Sequence, residues 1–318
     1  MALLESVPNV SEGRDAELVT AIGAAFASAG AELVDTHVDA RHHRSVFTLL
    51  GDARALEQGL LVGIALARQS IDLTRHAGAH PRVGVVDVVP LVALAPGERD
   101  RAREAALSVA RRVGGELGLP VFLYGEVGAA RRPALFRRGG LDELRRRVSV
   151  GELAPAYGPA TVDRRSGAIL VGARAPLVAY NVELLGSLAD ARAIAAAVRA
   201  SSGGLPGVQA LGLELGDGTV QVSTNVVDTE ATAPHALVEA IVGEAARRGV
   251  EVGAGELVGL VPASVVGDAA GAVGVVEPLG ADWLPTRAAL GAAARALRLE
   301  ALAADRVLEW HAARLARV

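Results

Sequence analysis

The pattern of apolar and polar positions is clearest around one short loop. Four apolar residues recur before it at helical spacing, namely Leu56, Leu60, Ile64 and Ala67. This spacing predicts a helix over about residues 53–71, and the β-branched run over residues 83–92 predicts a buried strand. Gly78 and Pro81 prevent a helix from continuing between them. The segment RHAGAHPR at 75–82 is therefore predicted to be a loop that leads into a core strand.

The predicted elements occur in the same order in both halves of the chain. In the first half they are a strand at 3–10, a helix at 15–29, strands at 31–38 and 44–50, the helix at 53–71 and the strand at 83–92. In the second half they are a strand at 177–182, a helix at 189–200, strands at 208–215 and 220–226, a helix at 234–248 and a strand at 257–261. Gly216, Asp217 and Gly218 form a strong hairpin signal between two of these strands. Both halves therefore have the order βαββαβ.

A split βαβ order that occurs twice predicts an α+β fold with two ferredoxin-like subdomains, at residues 1–176 and 177–318. Each is expected to have an antiparallel sheet with helices on one face. If the two bare sheet faces lie opposite each other, a ligand groove forms between them. Further elements are predicted outside the repeat, namely a helix at 98–113, a strand at 121–124, an arginine-rich connection at 126–176 and two closing helices at 285–318.

Composition narrows the classes of function. The chain has 318 residues, a net charge of −4 and 51% apolar residues, which suits a globular protein and favours neither nucleic acid nor an anionic membrane as partner. It has no cysteine and no lysine, so thiol nucleophiles, thiolate metal sites and Schiff-base chemistry are excluded. No uncharged apolar run reaches about 18 residues and no N-terminal signal is evident, so a soluble cytoplasmic protein is expected.

Histidines cluster around the predicted loop. Five of the seven lie within 44 residues, at His37, His42, His43, His76 and His80. Because an imidazole changes charge near neutral pH, His80 on the loop before a core strand is the candidate for proton transfer. The alternative is that these are solvated loop histidines. His76 and His80 have the spacing of metal ligands on a helix, but Gly78 and Pro81 argue against a helix there, and no metal is expected.

Two further charged features need an explanation. Asp87 lies among valines in the predicted buried strand, and an isolated buried carboxylate is costly, so it should have a partner. That partner is His80, which would make a catalytic dyad, or an arginine such as Arg44 or Arg82, which would make a structural salt bridge. The twelve arginines at residues 99–147 are mostly explained by a solvated helical face, part of which could bind a polyanionic ligand.

Seven longer motifs are spread over nearly the whole chain. They are VPNVSEGRD at 7–15, HHRSVFTLLG at 42–51, IDLTRHAGAHPRVGVVDVVPLV at 71–92, LYGE at 123–126, GARAPLVAYNVELLG at 172–186, QVSTNVVD at 221–228 and LVGLVP at 257–262. Together, and in this order, they resemble the glutamate formimidoyltransferase family. The resemblance implies two ferredoxin-like subdomains that face each other, usually in a homodimer. The chain resembles the free-standing bacterial form, whereas the animal enzyme is fused to a cyclodeaminase domain.

The resemblance also implies a reaction: transfer of the formimidoyl group of N-formimidoyl-L-glutamate to the N-5 nitrogen of tetrahydrofolate, in histidine degradation and one-carbon metabolism. Tetrahydrofolate, free or polyglutamylated, is the implied co-substrate. The family's catalytic histidine, in an HPR motif, falls on His80. Its folate-binding segment falls on Gly158, Pro159, Ala160, Thr161, Val162, Asp163, Arg164, Arg165, Ser166 and Gly167. Animal members carry aromatic residues in this segment.

Charge and position suggest roles for four more side chains in this reaction. Arg44 and Arg82 are candidates for binding the two carboxylates of glutamate. Asp39 or Asp87 is a candidate for stabilising the cationic amidine. Other functions stay open from the sequence, namely folate-dependent transfer of a formyl or formimidoyl group from a different amine donor, non-catalytic folate binding, and metal-dependent amidine hydrolysis.

Overall fold

Two separate sheets, each with its own hydrophobic core, form the framework of the protein. The computed structural model describes residues 3–78, 80–215, 217–276 and 284–315. It divides into a first unit, Met1–Ala175, and a second unit, Pro176–Val318. Three predicted features lie partly outside the described residues, namely Ala79 in the histidine loop, Gly216 in the hairpin and the last three positions of the closing helices. The α+β class that the sequence predicts is confirmed.

Within the described residues, the first unit forms a seven-stranded sheet. Its strands are β1 (Leu4–Ser6), β2 (Asn9–Val10), β3 (Glu32–Asp39), β4 (Arg44–Gly51), β5 (Val86–Ala93), β6 (Val121–Gly125) and β7 (Ile169–Arg174). In space, β3 pairs with β4, while β1 and β2 each pair with both β4 and β5. Strands β1 and β2 therefore act as one strand, which is interrupted at Val7 and Pro8 because proline has no N–H to donate to a neighbouring strand.

The first sheet is antiparallel from β3 to β5 but parallel where β5, β7 and β6 meet. The prediction of a wholly antiparallel sheet is therefore wrong for this unit. Parallel strands need a long crossover connection, which α3 (Arg99–Glu116) supplies between β5 and β6. The segment at 126–176, predicted as a connection, contains α4 (Pro133–Arg137), α5 (Gly140–Ser149) and β7. Of these elements, β7 extends the sheet by pairing with β5, the strand that follows the histidine loop.

Helices α1 (Ala16–Ala27) and α2 (Ala53–Ser70) pack closely against each other in the core of the first unit. The four apolar residues that predict α2 are all fully buried. Two glycines of α2 allow the close approach. A Cβ atom at Gly59 would lie 2.0 Å from the carbonyl oxygen of Phe26, and one at Gly63 would lie 2.2 Å from the Phe26 ring. This helix contact therefore depends on glycine at both positions.

Gly63→Ala is expected to lower the free energy of unfolding by about 1–3 kcal/mol, because the added methyl group would overlap the Phe26 ring in a closed core. Gly115→Ala, in α3, is the matched control. There the added methyl group meets no heavy atom of the described residues within 4 Å, so a gain of about 0.5–1 kcal/mol is expected from the lower backbone entropy of the unfolded chain. Urea denaturation measures both effects, and a stabilising Gly63→Ala would contradict the packing argument.

The second unit forms a four-stranded antiparallel sheet in its described residues. Its strands are β8 (Val178–Leu185), β9 (Val208–Glu214), β10 (Val220–Val226) and β11 (Glu251–Val258), in the spatial order β11-β8-β10-β9. Its helices are α6 (Leu188–Val198), α7 (Pro234–Arg247), α8 (Ala263–Ala272), α9 (Arg287–Ala296) and α10 (Leu308–Leu315). The predicted antiparallel sheet and the order βαββαβ are confirmed for this unit.

The last strand is longer than predicted. It begins at Glu251 rather than at residue 257, because glycines at 253 and 255 hide the apolar pattern of its first half. The pairing register also shifts between Val252 and Gly255, and a Cβ atom at Gly255 would collide with the hydroxyl of Tyr180. The sequence patterns also do not predict helix α8.

No helix in the described part of the chain is both long enough and apolar enough to cross a lipid bilayer.

Candidate active site

The loop between α2 and β5 carries the predicted site. It begins with a turn of 3-10 helix at Leu73–Arg75 and leads into β5, so the predicted position of His80 on a loop before a core strand is confirmed. A Cβ atom at Gly78 would lie 2.4 Å from the carbonyl oxygen of His42. The loop therefore passes directly over the turn between β3 and β4, and glycine permits this close approach.

The imidazole of His80 is half-buried and has two neighbours at Nδ1. Nη1 of Arg44 lies 3.0 Å from this nitrogen, and the carbonyl oxygen of Pro81 lies 2.8 Å from it. Burial, followed by the charges of Arg44 and Arg137, lowers the pKa of His80 well below its ordinary value of 6.5. The ring is therefore neutral at neutral pH, which is the form that can accept a proton.

A buried ionic cluster lies behind His80. The carboxylate of Asp87 is fully buried, and its Oδ2 accepts hydrogen bonds from Nη1 of Arg44 at 3.1 Å and from Nη2 of Arg137 at 2.6 Å. Its Oδ1 accepts from the N–H of Val83 at 2.8 Å. Burial alone would raise the pKa of Asp87, but Arg137, Arg44 and the Val83 N–H together lower it below its ordinary value. Asp87 is therefore ionised at neutral pH.

Arg44 connects this cluster to the histidine. Its Nε and Nη2 both donate to Oδ1 of Asn9, at 2.9 and 2.7 Å, while its Nη1 contacts both Asp87 and Nδ1 of His80. Of the partners considered for Asp87 from the sequence, an arginine is the one observed. The carboxylate of Asp87 is connected to His80 through the guanidinium of Arg44, and the two residues do not form the direct dyad considered from the sequence.

Arg137 is a site residue that the sequence pattern did not single out. It belongs to the arginine run at 99–147, which predicts a largely solvated face. Its neighbour Phe136 is fully buried and anchors α4 in a small core cluster, and this brings Arg137 to Asp87. An aromatic residue inside a strongly charged run is the sequence signal that marks this helix as packed rather than solvated.

Arg82 ties the histidine loop to the turn between β3 and β4. Its guanidinium donates to the carbonyl oxygens of His42 at 2.6 Å, His43 at 2.8 Å and His80 at 3.0 Å, and it contacts Nε2 of His76 at 2.8 Å. Burial lowers the pKa of Arg82 to about 10, so the group stays charged at neutral pH. One planar cation thus holds two stretches of backbone together beside the imidazole.

Arg82→Lys is expected to loosen the loop, because the carbonyl oxygens are bound by two separate guanidinium nitrogens and the single nitrogen of an ammonium group cannot occupy both positions. Loss of charge-assisted hydrogen bonds is expected to speed amide hydrogen exchange at residues 76–78 by about tenfold or more. Exchange in α1 serves as the internal control and is expected to stay unchanged. Loop exchange at the wild-type rate, measured by mass spectrometry at pH 7, would contradict the assigned role.

Two more of the clustered histidines stack beside the loop. The rings of His43 and His76 have centroids 3.9 Å apart and are inclined by 17°. Nε2 of His43 lies 3.1 Å from Oε1 of Glu12, and the same carboxylate oxygen accepts three backbone N–H groups that lead into α1. Burial, followed by the charge of Arg82, lowers the pKa of His76 to about 4. His76 is therefore also neutral at neutral pH.

Asp39 shapes the turn between β3 and β4. Its Oδ1 accepts hydrogen bonds from the N–H of Arg41 at 2.7 Å and of His42 at 2.8 Å. His42 is buried, and its ring lies edge-on to His80 with centroids 5.9 Å apart. The fifth clustered histidine, His37, lies on β3 instead. The structure thus brings four of the five histidines together around one loop.

The segment at 158–167 lies directly against the histidine loop. The carbonyl oxygen of Arg165 accepts a hydrogen bond from the N–H of Leu73 at 2.9 Å, and that of Ser166 accepts one from Val85 at 3.0 Å. These contacts join the segment to both ends of the loop. Two stretches that are about 80 residues apart in the sequence, and that the family resemblance links to one reaction, are therefore neighbours in the structure.

The segment combines a rigid turn with an exposed face. Oδ1 of Asp163 accepts hydrogen bonds from the N–H groups of Arg165 and Ser166, each at 2.7 Å. Val162 is buried in the core, and Gly167 has a φ of 70°, which favours glycine. The exposed residues are Gly158, Pro159, Ala160, Thr161, Asp163, Arg164 and Arg165.

A pocket of about 290 Å³ opens between the histidine loop and α5. It is lined by Leu73, His76, Gly78, His80, Arg82 and Leu141. This volume is at the lower end of the range for ligand pockets, and the lining combines apolar walls with imidazole and guanidinium groups. In the part of the chain that the structure describes, no three His, Cys, Asp or Glu side chains are close enough to hold a metal ion. The arrangement suits proton transfer to or from a small polar ligand.

Comparison with known proteins gives a consistent family match. A family model described as the N-terminal subdomain of the formiminotransferase domain matches residues 3–174, and one described as the formiminotransferase domain matches residues 179–273. The chain is 37% identical over 276 residues to a glutamate formimidoyltransferase from Streptococcus pyogenes serotype M1, covering 84% of this chain and 92% of that protein. It is 38% identical over 280 residues to one from Thermoplasma acidophilum, covering 85% and 91%.

Longer relatives match over the same region. A formimidoyltransferase-cyclodeaminase from Sus scrofa is 37% identical over 280 residues, which cover 84% of this chain and 52% of that protein. The chain therefore spans about half the length of this relative. Among solved structures, a microcompartments protein from Desulfitobacterium hafniense matches with a TM-score of 0.23 and 14% identity over 81% of this chain and 94% of that one. A structural similarity this low supports no statement about fold or function.

Proposed function

The chain belongs to the formiminotransferase family, and from this premise we propose that it transfers the formimidoyl group of N-formimidoyl-L-glutamate to the N-5 nitrogen of tetrahydrofolate, releasing L-glutamate. The protein is a one-carbon transferase that acts in histidine degradation, and tetrahydrofolate is its co-substrate. The family match supports the reaction. The observation that carries the site is the position of the His80 imidazole, which lines a pocket beside the segment at 158–167.

The reaction needs one group that first accepts and then donates a proton. N-5 of tetrahydrofolate attacks the amidine carbon, a bond forms between them, and the nitrogen loses its proton. The bond from that carbon to the glutamate nitrogen then breaks as this nitrogen gains a proton. In our proposal Nδ1–H of the neutral ring donates to the carbonyl oxygen of Pro81, which leaves Nε2 unprotonated. Nε2 of His80 then takes the first proton and delivers it in the second step. Such catalysis contributes about 10²- to 10⁴-fold, and orienting two substrates at one site supplies up to about 7–11 kcal/mol more.

We assign Arg44 and Arg82 to ordering the site. Arg44 is engaged by Asn9 and Asp87, and Arg82 by backbone carbonyl oxygens on both sides of the loop. Direct binding of substrate carboxylates by these two arginines stays a prediction from the sequence. The same holds for stabilisation of the cationic amidine by Asp39 or Asp87, and for contact between folate and the residues at 158–167.

We also propose that both units are ferredoxin-like subdomains. In the second unit β8 lies between β11 and β10, and in the first unit the interrupted strand β1–β2 lies between β5 and β4 in the same way. This shared strand order supports the proposal. A ligand groove between facing sheets, a homodimer, a cytoplasmic location and the use of polyglutamylated folate are kept as predictions from the sequence.

The pH dependence of the transfer follows from the state of His80. Its pKa is lowered, so the ring stays neutral and able to accept a proton as the pH falls below 6.5. The acid limb of kcat/KM is therefore expected below pH 6.5 and is reached only as the pH falls through the lowered pKa. A pH profile at saturating tetrahydrofolate measures this, and an acid limb above pH 6.5 would contradict the proposed base.

Incubation of the purified protein with N-formimidoyl-L-glutamate and tetrahydrofolate tests the function. Formation of 5-formimidoyltetrahydrofolate and L-glutamate in equal amounts is expected, and mass spectrometry detects both. N-formyl-L-glutamate serves as the competing donor and is expected to react more slowly. Preferred turnover of the formyl donor would assign a different substrate, and binding of tetrahydrofolate without turnover of either donor would indicate a binding module.

A further inference from the structure

The buried cluster at Asp87 contains more positive than negative charge. One carboxylate contacts two guanidiniums, Arg44 and Arg137, through the same oxygen. A salt bridge needs one cation for one carboxylate, and a second cation that is largely removed from water, as Arg137 is with a side chain only 17% exposed, is unfavourable unless an anion balances it. The second arginine is therefore not explained by the stability of the unit.

The two arginines differ in how well they are satisfied. All three side-chain nitrogens of Arg44 have partners, since Nε and Nη2 donate to Asn9 and Nη1 donates to Asp87. Nη2 of Arg137 also donates to Asp87, but its Nε is buried and has no hydrogen-bond acceptor among the described residues. A buried N–H without an acceptor is unfavourable, and such groups in native proteins usually meet a ligand, an ion or water. Arg137 is thus the surplus cation, and its Nε lacks an acceptor among the described residues.

We propose that the guanidinium of Arg137, whose side chain is 17% exposed, binds a carboxylate of the amino-acid donor and so makes the enzyme selective for a dicarboxylic donor. This inference rests on the proposed function, because N-formimidoyl-L-glutamate carries two carboxylates. Arg137 is linked to His80 through Asp87 and Arg44, so an anion bound there belongs to the same cluster as the reacting imidazole. A guanidinium matches the geometry of a carboxylate, and the bound anion would balance the surplus charge.

Arg137→Gln is the variant that separates the two roles of this arginine. It leaves one carboxylate, Asp87, beside one guanidinium, Arg44, so the buried charges become balanced. The glutamine amide can still donate a hydrogen bond to Asp87. The variant is therefore expected to fold, and circular dichroism and thermal melting check this. Arg146→Gln is the control, because Arg146 is an exposed arginine of α5 that pairs with Glu143.

The test compares three donors with saturating tetrahydrofolate: N-formimidoyl-L-glutamate, N-formimidoyl-L-glutamine and N-formimidoyl-4-aminobutyrate. The last two each lack one carboxylate. In Arg137→Gln the KM for the glutamate donor is expected to rise about 10- to 100-fold, while kcat changes little. The preference for the glutamate donor over one of the other two is expected to fall by the same factor. Arg146→Gln is expected to keep both the KM and the preference.

Two outcomes overturn the inference without touching the proposed function. The first is an Arg137→Gln variant that keeps the wild-type KM and donor preference. The second is an equal loss of rate with all three donors. If the wild-type protein transfers no formimidoyl group, calorimetry still tests the site, with L-glutamate, L-glutamine and 4-aminobutyrate as probes. Wild-type protein is then expected to bind L-glutamate more tightly than one of the other two, and Arg137→Gln is expected to lose that difference. If Arg137→Gln does not fold, Arg137→Lys keeps a cation beside Asp87 and takes its place.

Discussion

Replacement of His80 by alanine is expected to slow formimidoyl transfer by about 10²- to 10⁴-fold, the contribution of one general acid–base group. Nδ1–H of the ring is assigned as the donor to the carbonyl oxygen of Pro81, which leaves the lone pair of Nε2 for proton transfer. The ring is half-buried on a loop and belongs to neither of the two core clusters found among the described residues of the first unit, so the variant is expected to fold normally. Single-turnover rates at pH 7, with both substrates saturating, measure the effect.

The matched control for this variant is His311→Gln. Nε2 of His311 lies 2.7 Å from the carbonyl oxygen of Asp305 in the second unit, and a glutamine amide can replace that contact. The control is expected to keep the wild-type rate. Added imidazole is expected to restore part of the rate of His80→Ala. Near-wild-type turnover by a folded His80→Ala variant would refute the role of His80.

Replacement of Asp87 by alanine is expected to lower the free energy of unfolding by about 3–5 kcal/mol, because it leaves the buried guanidinium of Arg44 and the half-buried guanidinium of Arg137 without a carboxylate. Arg137→Gln is the informative comparison, since it removes one charge and leaves a balanced pair. The free energy of unfolding of Arg137→Gln is expected to be lower than that of the wild-type protein by about 1 kcal/mol or less. Urea denaturation followed by circular dichroism measures both variants. Equal costs for the two substitutions would contradict the charge argument.

The same cluster predicts how stability depends on pH. The pKa of Asp87 is lower in the folded state than in the unfolded chain, where it is about 3.9. Its stabilising contribution is therefore fully present above the unfolded-state pKa and is lost as the pH falls through the lowered folded-state pKa. Wild-type protein is expected to lose stability below about pH 4 more steeply than Asp87→Asn, which has no carboxylate there. Parallel slopes for the two proteins would contradict this.

The parts of the fold that follow from local patterns were predictable from the sequence. Four apolar residues at helical spacing predict helix α2, and Gly78 and Pro81 predict the loop that precedes β5. Strand β7 was not predictable in this way, because its parallel pairing with β5 and β6 joins segments that are far apart in the sequence. Strand β11 was only half predicted, since Gly255 is required by the Tyr180 hydroxyl and not by the strand pattern.

The candidate site also has parts that the sequence predicts and parts that depend on packing. His80 could be proposed from the histidine cluster and the HPR motif, and its position on the loop is confirmed. The partner of Asp87 could be narrowed to a histidine or an arginine, because a buried carboxylate needs a compensating group. Arg137 could not be chosen among twelve arginines, since only the burial of Phe136 and the packing of α4 bring it to Asp87.

The role of His80 in proton transfer is tested by the distance from its Nε2 to N-5 of a bound tetrahydrofolate analogue, measured in a crystal structure of the complex. If His80 transfers the proton, the pterin lies beside the segment at 158–167, with N-5 within about 2.6–3.2 Å of Nε2 or joined to it by one water molecule. A pterin bound away from the histidine loop, with no hydrogen-bonding path from N-5 to His80, would contradict this role.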